Sequence, residues 1–88
     1  MKNKISIIDA VYNTEKYIKK CIDSLLKQTY SNIEIIIVED CSLDNSKKIL
    51  SNYKKSKNVK IIYNETNKGL SYSRNIGLKN ATGDYIGY

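Results

Sequence analysis

Two carboxylates, Glu39 and Asp40, follow directly on the apolar run IIIV of residues 35–38. Cys41, Ser42 and Asp44 come within the next four positions. A carboxylate just past a buried strand can accept a hydrogen bond from a ligand N–H or O–H, or approach a metal. It can equally cap the next helix or bond loop amides. Spacing alone leaves both roles open for Asp40. Side-chain alternation along a strand points Glu39 away from Asp40, so the two are not an acid pair. Asp44 is expected in the first turn of a helix.

Three further groups have types suited to binding. Tyr12 follows an apolar run at ISII, residues 5–8, and its ring can stack on a flat ligand or pack over the following helix. Lys68 and Arg74 flank the expected start of a helix, where cations and amide N–H groups together suit a phosphate. Asn13 or Thr14 is expected to cap the first helix, and Tyr72 to serve packing.

Composition removes several chemistries. The 88 residues contain no His, so no imidazole base, Ser–His or Cys–His dyad, or His-ligated zinc is possible. Neither GxGxxG nor GxxxxGK[ST] occurs, which disfavours a dinucleotide fingerprint and a P-loop. The net charge is +6, but the lysines are spread over expected helix faces with only one Arg, and no nucleic-acid partner is expected. Cys21 falls on an apolar helical stripe and is expected in the core, whereas Cys41 lies in a loop. With two cysteines and no signal peptide, reduced thiols and a cytoplasmic setting are expected.

The elements that must hold these groups alternate. Strands are expected at 5–8, 33–38 and 59–63, with a fourth beginning at DYIGY. Residues 17, 18, 21, 22, 25 and 26 form one apolar helical face, and the segment QTYSN ends that helix. A second helix carries Ile49, Leu50 and Tyr53 inward, and LSYSRNIGLKN is a third, with Gly83 placed as its C-cap. The nearly all-apolar IEIIIV is expected of a central strand covered on both faces. The order β-α-β-α-β-α-β gives an α/β fold with a parallel sheet and right-handed crossovers. In such sheets ligands bind beyond the carboxyl ends of the strands, at residues 9–13, 39–42 and 64–69 here. The chain stops inside the fourth strand and reads as the first part of a longer domain.

With VYN after the first strand, SLLKQTYSNIEIIIV, the turn S-x-D-N-S, N-K-G-x-S-x-S-R-N-x-G and A-T-G-D-Y-I in this order, the chain resembles the N-terminal nucleotide-binding portion of a family 2 glycosyltransferase with the GT-A fold. The resemblance covers essentially all of residues 1–88. It implies a three-layer, Rossmann-like half domain with strand order 3-2-1-4. It implies that Ala10, Val11, Tyr12 and Asn13 pack on the base of a nucleotide-sugar, commonly a UDP-sugar, and that Asp40 bonds the base imide. Lys68 and Arg74 would lie near base and diphosphate. It further implies a longer parent that transfers a glycosyl group with Mn²⁺ or Mg²⁺, in cell-wall or polysaccharide biosynthesis, with possible peripheral membrane association. The D-x-D metal motif and the catalytic base fall beyond residue 88 in the family pattern, so no catalytic or metal-ligating residue is expected here and the 88 residues alone are expected to be inactive. The alternative is a non-catalytic module that self-associates through an open sheet edge or apolar face.

Three departures from the family pattern lie at the nucleotide edge. Asp9 and Ala10 stand where an apolar residue and Pro are usual, Cys41 replaces Gly, and Leu43 replaces a small polar residue. If the backbone at 41 has positive φ, Cys costs about 1 kcal/mol or more there. Relaxed constraint on binding and altered ligand preference are both open.

Overall fold

A computed structural model describes residues 3–27 and 31–88. The expected turn at QTYSN lies partly outside these residues. Four parallel strands form one sheet in the order β3-β2-β1-β4. They are β1 (Ile5–Val11), β2 (Ile33–Glu39), β3 (Val59–Tyr63) and β4 (Tyr85–Gly87), alternating with α1 (Ile18–Leu26), α2 (Ser46–Leu50) and α3 (Leu70–Asn80). A 3₁₀ turn, Ser51–Tyr53, follows α2. β1 aligns with β2 from Ile5↔Ile33 to Val11↔Glu39, and β2 with β3 from Ile35↔Val59 to Glu39↔Tyr63. All seven residues of β2 are buried, as its apolar run requires of a strand covered on both faces.

Alternation sorts the strand side chains into two layers. Val11, Ile35, Ile37 and Val59 pack with Ile18 and Ile22 of α1 and with Leu50 and Tyr53 after β2. Ile8, Ile36 and Val38 form a second cluster with Ile62, Ile76 and Ala81, on the α3 side. Gly77 lets α3 approach closely: a Cβ there would stand 2.5 Å from Ile8 Cγ2. Tyr53 Oη donates to Asp23 Oδ1 at 2.7 Å and ties the 3₁₀ turn to α1.

Several local expectations are corrected. α1 starts at Ile18, and neither Asn13 nor Thr14 caps it with a side chain. The N–H groups of Tyr17 and Ile18 instead close a turn on the Thr14 carbonyl. Tyr17 and Cys21 are exposed rather than core. The cause is the short β4, which pairs with β1 only at Ile5–Ile7. Beyond Ile7 that edge of β1 is open, and Tyr17 and Cys21 border a hollow there with Asp9, Ala10, Val11 and Thr14. Gly83 is not a left-handed C-cap, because α3 closes through an extended Ala81. Gly83 is required by contact: its N–H donates to Ser6 Oγ at 2.8 Å, and a Cβ would overlap Ser6.

Glu34 is a polar residue hidden inside the apolar β2 run. Its side chain accepts from Ser6 Oγ at 2.6 Å and from the Thr82 N–H at 2.7 Å, and lies 3.3 Å from Lys60 Nζ. Burial raises its pKa, but the Ser6 and Thr82 hydrogen bonds and Lys60 outweigh burial and bring it to about 2. The carboxylate thus fastens the ATGD approach to β4 onto the amino-terminal edge of the sheet.

Candidate functional site

The carboxyl ends of β1 and β2 and the start of α3 enclose a hollow of about 290 Å³. Ala10, Val11 and Tyr12 line one side, and Asp40, Asn67, Gly69, Leu70 and Ser73 the rest. Tyr12 is 42% exposed, so its ring is available at the rim rather than packed away.

Asp40 sits at the base of this hollow with 4% of its surface exposed. Its Oδ1 accepts from Asn64 Nδ2 at 2.9 Å and from the Lys68 N–H at 2.7 Å. Its Oδ2 accepts from the Gly69 N–H at 2.8 Å. The two loop amides belong to the turn that enters α3, whose first N–H groups would otherwise lack partners. Burial raises the Asp40 pKa. The Lys68 N–H, the Asn64 amide, the Gly69 N–H and the Lys68 charge outweigh it, and the carboxyl is held below its ordinary value. Of the two roles left open by sequence, loop bonding is therefore realised. A carboxylate oxygen accepts about two hydrogen bonds, so Oδ1 is filled and Oδ2 keeps one acceptor position.

The turn after β2 also clamps the loop after β1. Asn13 N–H donates to Ser42 Oγ at 3.0 Å, Thr14 N–H to Ser46 Oγ at 3.0 Å, and Glu15 N–H to Asp44 Oδ2 at 3.1 Å. Asn13 Oδ1 returns the contact by accepting the Leu43 N–H at 2.8 Å. Asn13 has φ 52, a conformation Asn tolerates better than most residues. Asp44 is not in the first turn of α2 as expected: it stands two residues before Ser46, whose N–H its Oδ1 accepts at 2.9 Å. Cys41 adopts φ 57, so it does occupy a left-handed position. Glu39 turns to the other layer, where Oε1 accepts the Ser42 N–H at 2.8 Å.

The hollow thus unites Ala10, Val11, Tyr12 and Asp40 but not all the residues expected with them. The Asn13 side chain is spent on Leu43. Lys68 contributes its backbone N–H, while its ammonium lies 5.8 Å from the Tyr72 ring. Arg74 stands against Tyr88, 5.5 Å from the ring centroid, in a separate hollow with Ser71, Asn75 and Leu78. Asp9 is half-buried on the α1 side, where Cys21 Sγ approaches it at 3.7 Å. Burial raises its pKa, and the Cys21 contact opposes this only partly. Asn64 and Ser73 were not foreseen. Asn64 Nδ2 bridges Asp40 Oδ1 and Ser73 Oγ, the latter at 3.1 Å, from a loop whose sequence reads only as polar.

Among the described residues no three Asp, Glu, Cys or His side chains converge where a metal ion could sit. The acids nearest the hollow are committed to amide N–H groups. A divalent ion therefore has no ligand set among the described residues.

The family model described as Glycosyl transferase family 2 matches residues 6–88. The chain belongs to that family. Among curated relatives, it is 48% identical over 85 residues to the uncharacterized glycosyltransferase EpsJ of Bacillus subtilis, covering 96% of this chain and 24% of that protein. It is 38% identical over 86 residues to the poly(ribitol-phosphate) beta-N-acetylglucosaminyltransferase TarS of Staphylococcus aureus, covering 94% of this chain and 15% of TarS. A crystal structure of TarS residues 1–349 in complex with UDP-GlcNAc superposes with a TM-score of 0.86, covering 94% of this chain and 25% of that one. A mannosyltransferase of Pyrobaculum calidifontis, at 19% identity and TM-score 0.88, shares the fold and covers 98% of this chain and 26% of that one. The expected parallel order 3-2-1-4 with three helices is thus met in both the sheet and its neighbours. The family 2 chain spans between 12% and 33% of the length of these and other curated relatives.

Proposed function

We infer that this chain is the donor-binding portion of a glycosyltransferase and that the hollow at Asp40 takes the base of a UDP-sugar. The observation that carries this reading is the single acceptor position left on a desolvated Asp40 Oδ2, in a hollow rimmed by Tyr12. Uracil offers one ring N–H and a flat face. Guanine offers two adjacent N–H groups, for which a carboxylate with Oδ1 already filled is a poor match. A volume of about 290 Å³ lies at the low end of the ~300–1,000 Å³ typical of small-molecule sites, enough for a base rather than a whole donor. The diphosphate and sugar would extend past the start of α3. The TarS complex with UDP-GlcNAc supports a uridine donor, since TarS is 38% identical to this chain and matches 94% of it.

In the whole protein the activity is transfer of a glycosyl group from that donor, in cytoplasmic cell-wall or polysaccharide biosynthesis. In this reading the 88 residues bind without transferring, in line with the lack of any cluster of three potential metal ligands among the described residues. Residues Ala10, Val11, Tyr12 and Asp40 form the base site, with Lys68 holding Asp40 through its backbone N–H and Asn13 bracing the loop beside it, while Arg74 lies apart against Tyr88.

The test is calorimetric titration with UDP, GDP and UDP-GlcNAc. UDP and UDP-GlcNAc bind, GDP binds at least tenfold more weakly, and Tyr12→Ala weakens UDP. Equal binding of UDP and GDP, or none, would overturn the assignment. The exposed Tyr85, Ile86 and Tyr88 on and beside β4 favour a second reading, a self-associating module. A stable dimer in sedimentation without nucleotide binding would decide for it.

A further inference from the structure

Glu34 carries its hydrogen bonds on one oxygen. Oε2 accepts from Ser6 Oγ at 2.6 Å, from the Thr82 N–H at 2.7 Å and from Thr82 Oγ1 at 3.0 Å. Oε1 has no partner in hydrogen-bond geometry, although the residue is buried. What faces Oε1 is charge: Lys60 Nζ stands at 3.3 Å and Lys4 Nζ at 3.6 Å. Glu34, Lys4 and Lys60 line a hollow of about 230 Å³ together with Lys57, Asn32 and Asn58. Lys57 is exposed and forms no ion pair among the described residues. Three ammonium groups thus share one carboxylate. Asp84 turns its carboxylate to the Lys4 N–H at 2.8 Å and does not line the hollow. Fastening the ATGD segment needs Oε2 alone, so it accounts for neither the unbonded Oε1 nor the surplus of cations.

We propose that this hollow binds a phosphate group that carries an O–H donor on or beside it, as in inorganic phosphate or a phosphorylated polyol. Lysine ammonium groups act as point charges that suit phosphate oxygens. Lys4 and Lys60 cover Oε1, and their flexible four-carbon stems let them swing onto an incoming anion. Oε1 then needs a new donor, and the ligand's hydroxyl supplies it. Glu34 therefore sorts among anions. Its pKa of about 2 keeps it charged at neutral pH, an acceptor that repels bare oxygens. Inorganic phosphate keeps at least one O–H near neutrality, whereas sulfate has none. The hollow offers several times the ~30 Å³ of one water, room for such a group. It lies at the amino-terminal edge of the sheet. Glu34 and Asp40 are six residues apart along β2 and its end, about 20 Å at ~3.3 Å per residue. The hollow at Glu34 and the donor hollow can therefore be filled together.

The test is titration of the full chain with inorganic phosphate, glycerol phosphate and sulfate, followed by amide chemical shifts at neutral pH and fixed ionic strength. Phosphate or glycerol phosphate should shift the amides of residues 32–34 and 57–60 saturably, and the tighter of the two names the source. Sulfate should bind at least about tenfold more weakly, the worth of one hydrogen bond to a charged acceptor. Lys57→Gln should weaken phosphate about tenfold and leave UDP binding unchanged, which separates this proposal from the donor assignment. Lys79→Gln, an equal change of charge at the end of α3, should leave phosphate binding as it is. Glu34→Gln should erase the preference for phosphate over sulfate; if that variant unfolds, the comparison of Lys57→Gln with Lys79→Gln decides. Equal affinity for phosphate and sulfate in the wild type would overturn the proposal. So would the absence of a saturable shift, an equal loss in Lys57→Gln and Lys79→Gln, or displacement of phosphate by UDP at the concentration that fills the donor hollow.

Discussion

Replacing Asp40 by Asn tests whether this carboxylate is a structural acceptor as well as a ligand reader. Asn is nearly isosteric but turns one oxygen into an NH₂ donor. The remaining oxygen can still serve Asn64 and Lys68, and the new donor then faces the Gly69 N–H, now 2.8 Å from Oδ2. One hydrogen bond to a charged acceptor is lost, worth about 1.5–3 kcal/mol, and a buried N–H is left unpaired at a further ~1–3 kcal/mol. The total loss is about 2.5–6 kcal/mol. A chain of 88 residues has about 4–13 kcal/mol of stability in all, at ~0.05–0.15 kcal/mol per residue. Urea unfolding at neutral pH without nucleotide should therefore show a large fall in midpoint at unchanged slope. The wild-type advantage should shrink in acid. The Asp40 pKa is lowered in the fold, so its contribution is present above the unfolded carboxyl value and lost as pH falls through the folded one. A variant as stable as wild type that fails only to bind UDP would refute the structural role and leave Asp40 as a reader alone.

Three other outcomes follow from particular contacts. Glu34, with a pKa of about 2 against an ordinary 4.5, should contribute about 3 kcal/mol that is present above pH ~4.5 and lost as pH falls toward 2. Glu34→Gln should flatten that part of the stability–pH curve, and an unchanged slope would exclude the contact as its source. Cys41→Gly relieves a left-handed conformation worth about 1–2 kcal/mol and forfeits ~0.4–1 kcal/mol of unfolded-state entropy, so thermal unfolding should show a net gain near 1 kcal/mol. Gly77→Ala drives a methyl to 2.5 Å from Ile8 Cγ2 and should cost about 1–3 kcal/mol by urea unfolding, with α3 pushed off the sheet.

Much of the architecture was legible because apolar period and chain order are local signals. The run IEIIIV is expected of a strand covered on both faces, and β2 is buried throughout. Alternation likewise separates Glu39 from Asp40, and they do face opposite layers. What stayed hidden depended on the length of a distant strand or on a partner far along the chain. Tyr17 and Cys21 lie on a good helical stripe, yet they are exposed because β4 covers only the first part of β1. Gly83 follows a helix and suggests a cap, but its constraint comes from Ser6, 77 residues earlier. Glu34 looks like an exception in an apolar run, since Ser6 and Thr82, which justify its burial, are far from it in sequence.

The same separation explains why the sequence of the acid-rich turn leaves open whether Asp40 serves a ligand or the loop. Its oxygens are plentiful, but most meet backbone N–H groups across the fold. Ser42, Asp44 and Ser46 hold residues 13–15 after β1, while Asp40 holds residues 68 and 69 before α3. One short segment after β2 therefore fixes both walls of the hollow relative to each other. Loops bound in this way keep a planar cleft open without ligand, which lowers the ordering cost of binding a flat base. It also makes the turn intolerant of change for structural reasons before any ligand is considered. The exposed Leu43 side chain is the exception: only its backbone N–H is used, by Asn13. Position 43 can therefore vary in side chain while the clamp stays intact, and the departure from the usual small polar residue there leaves the hollow unaltered.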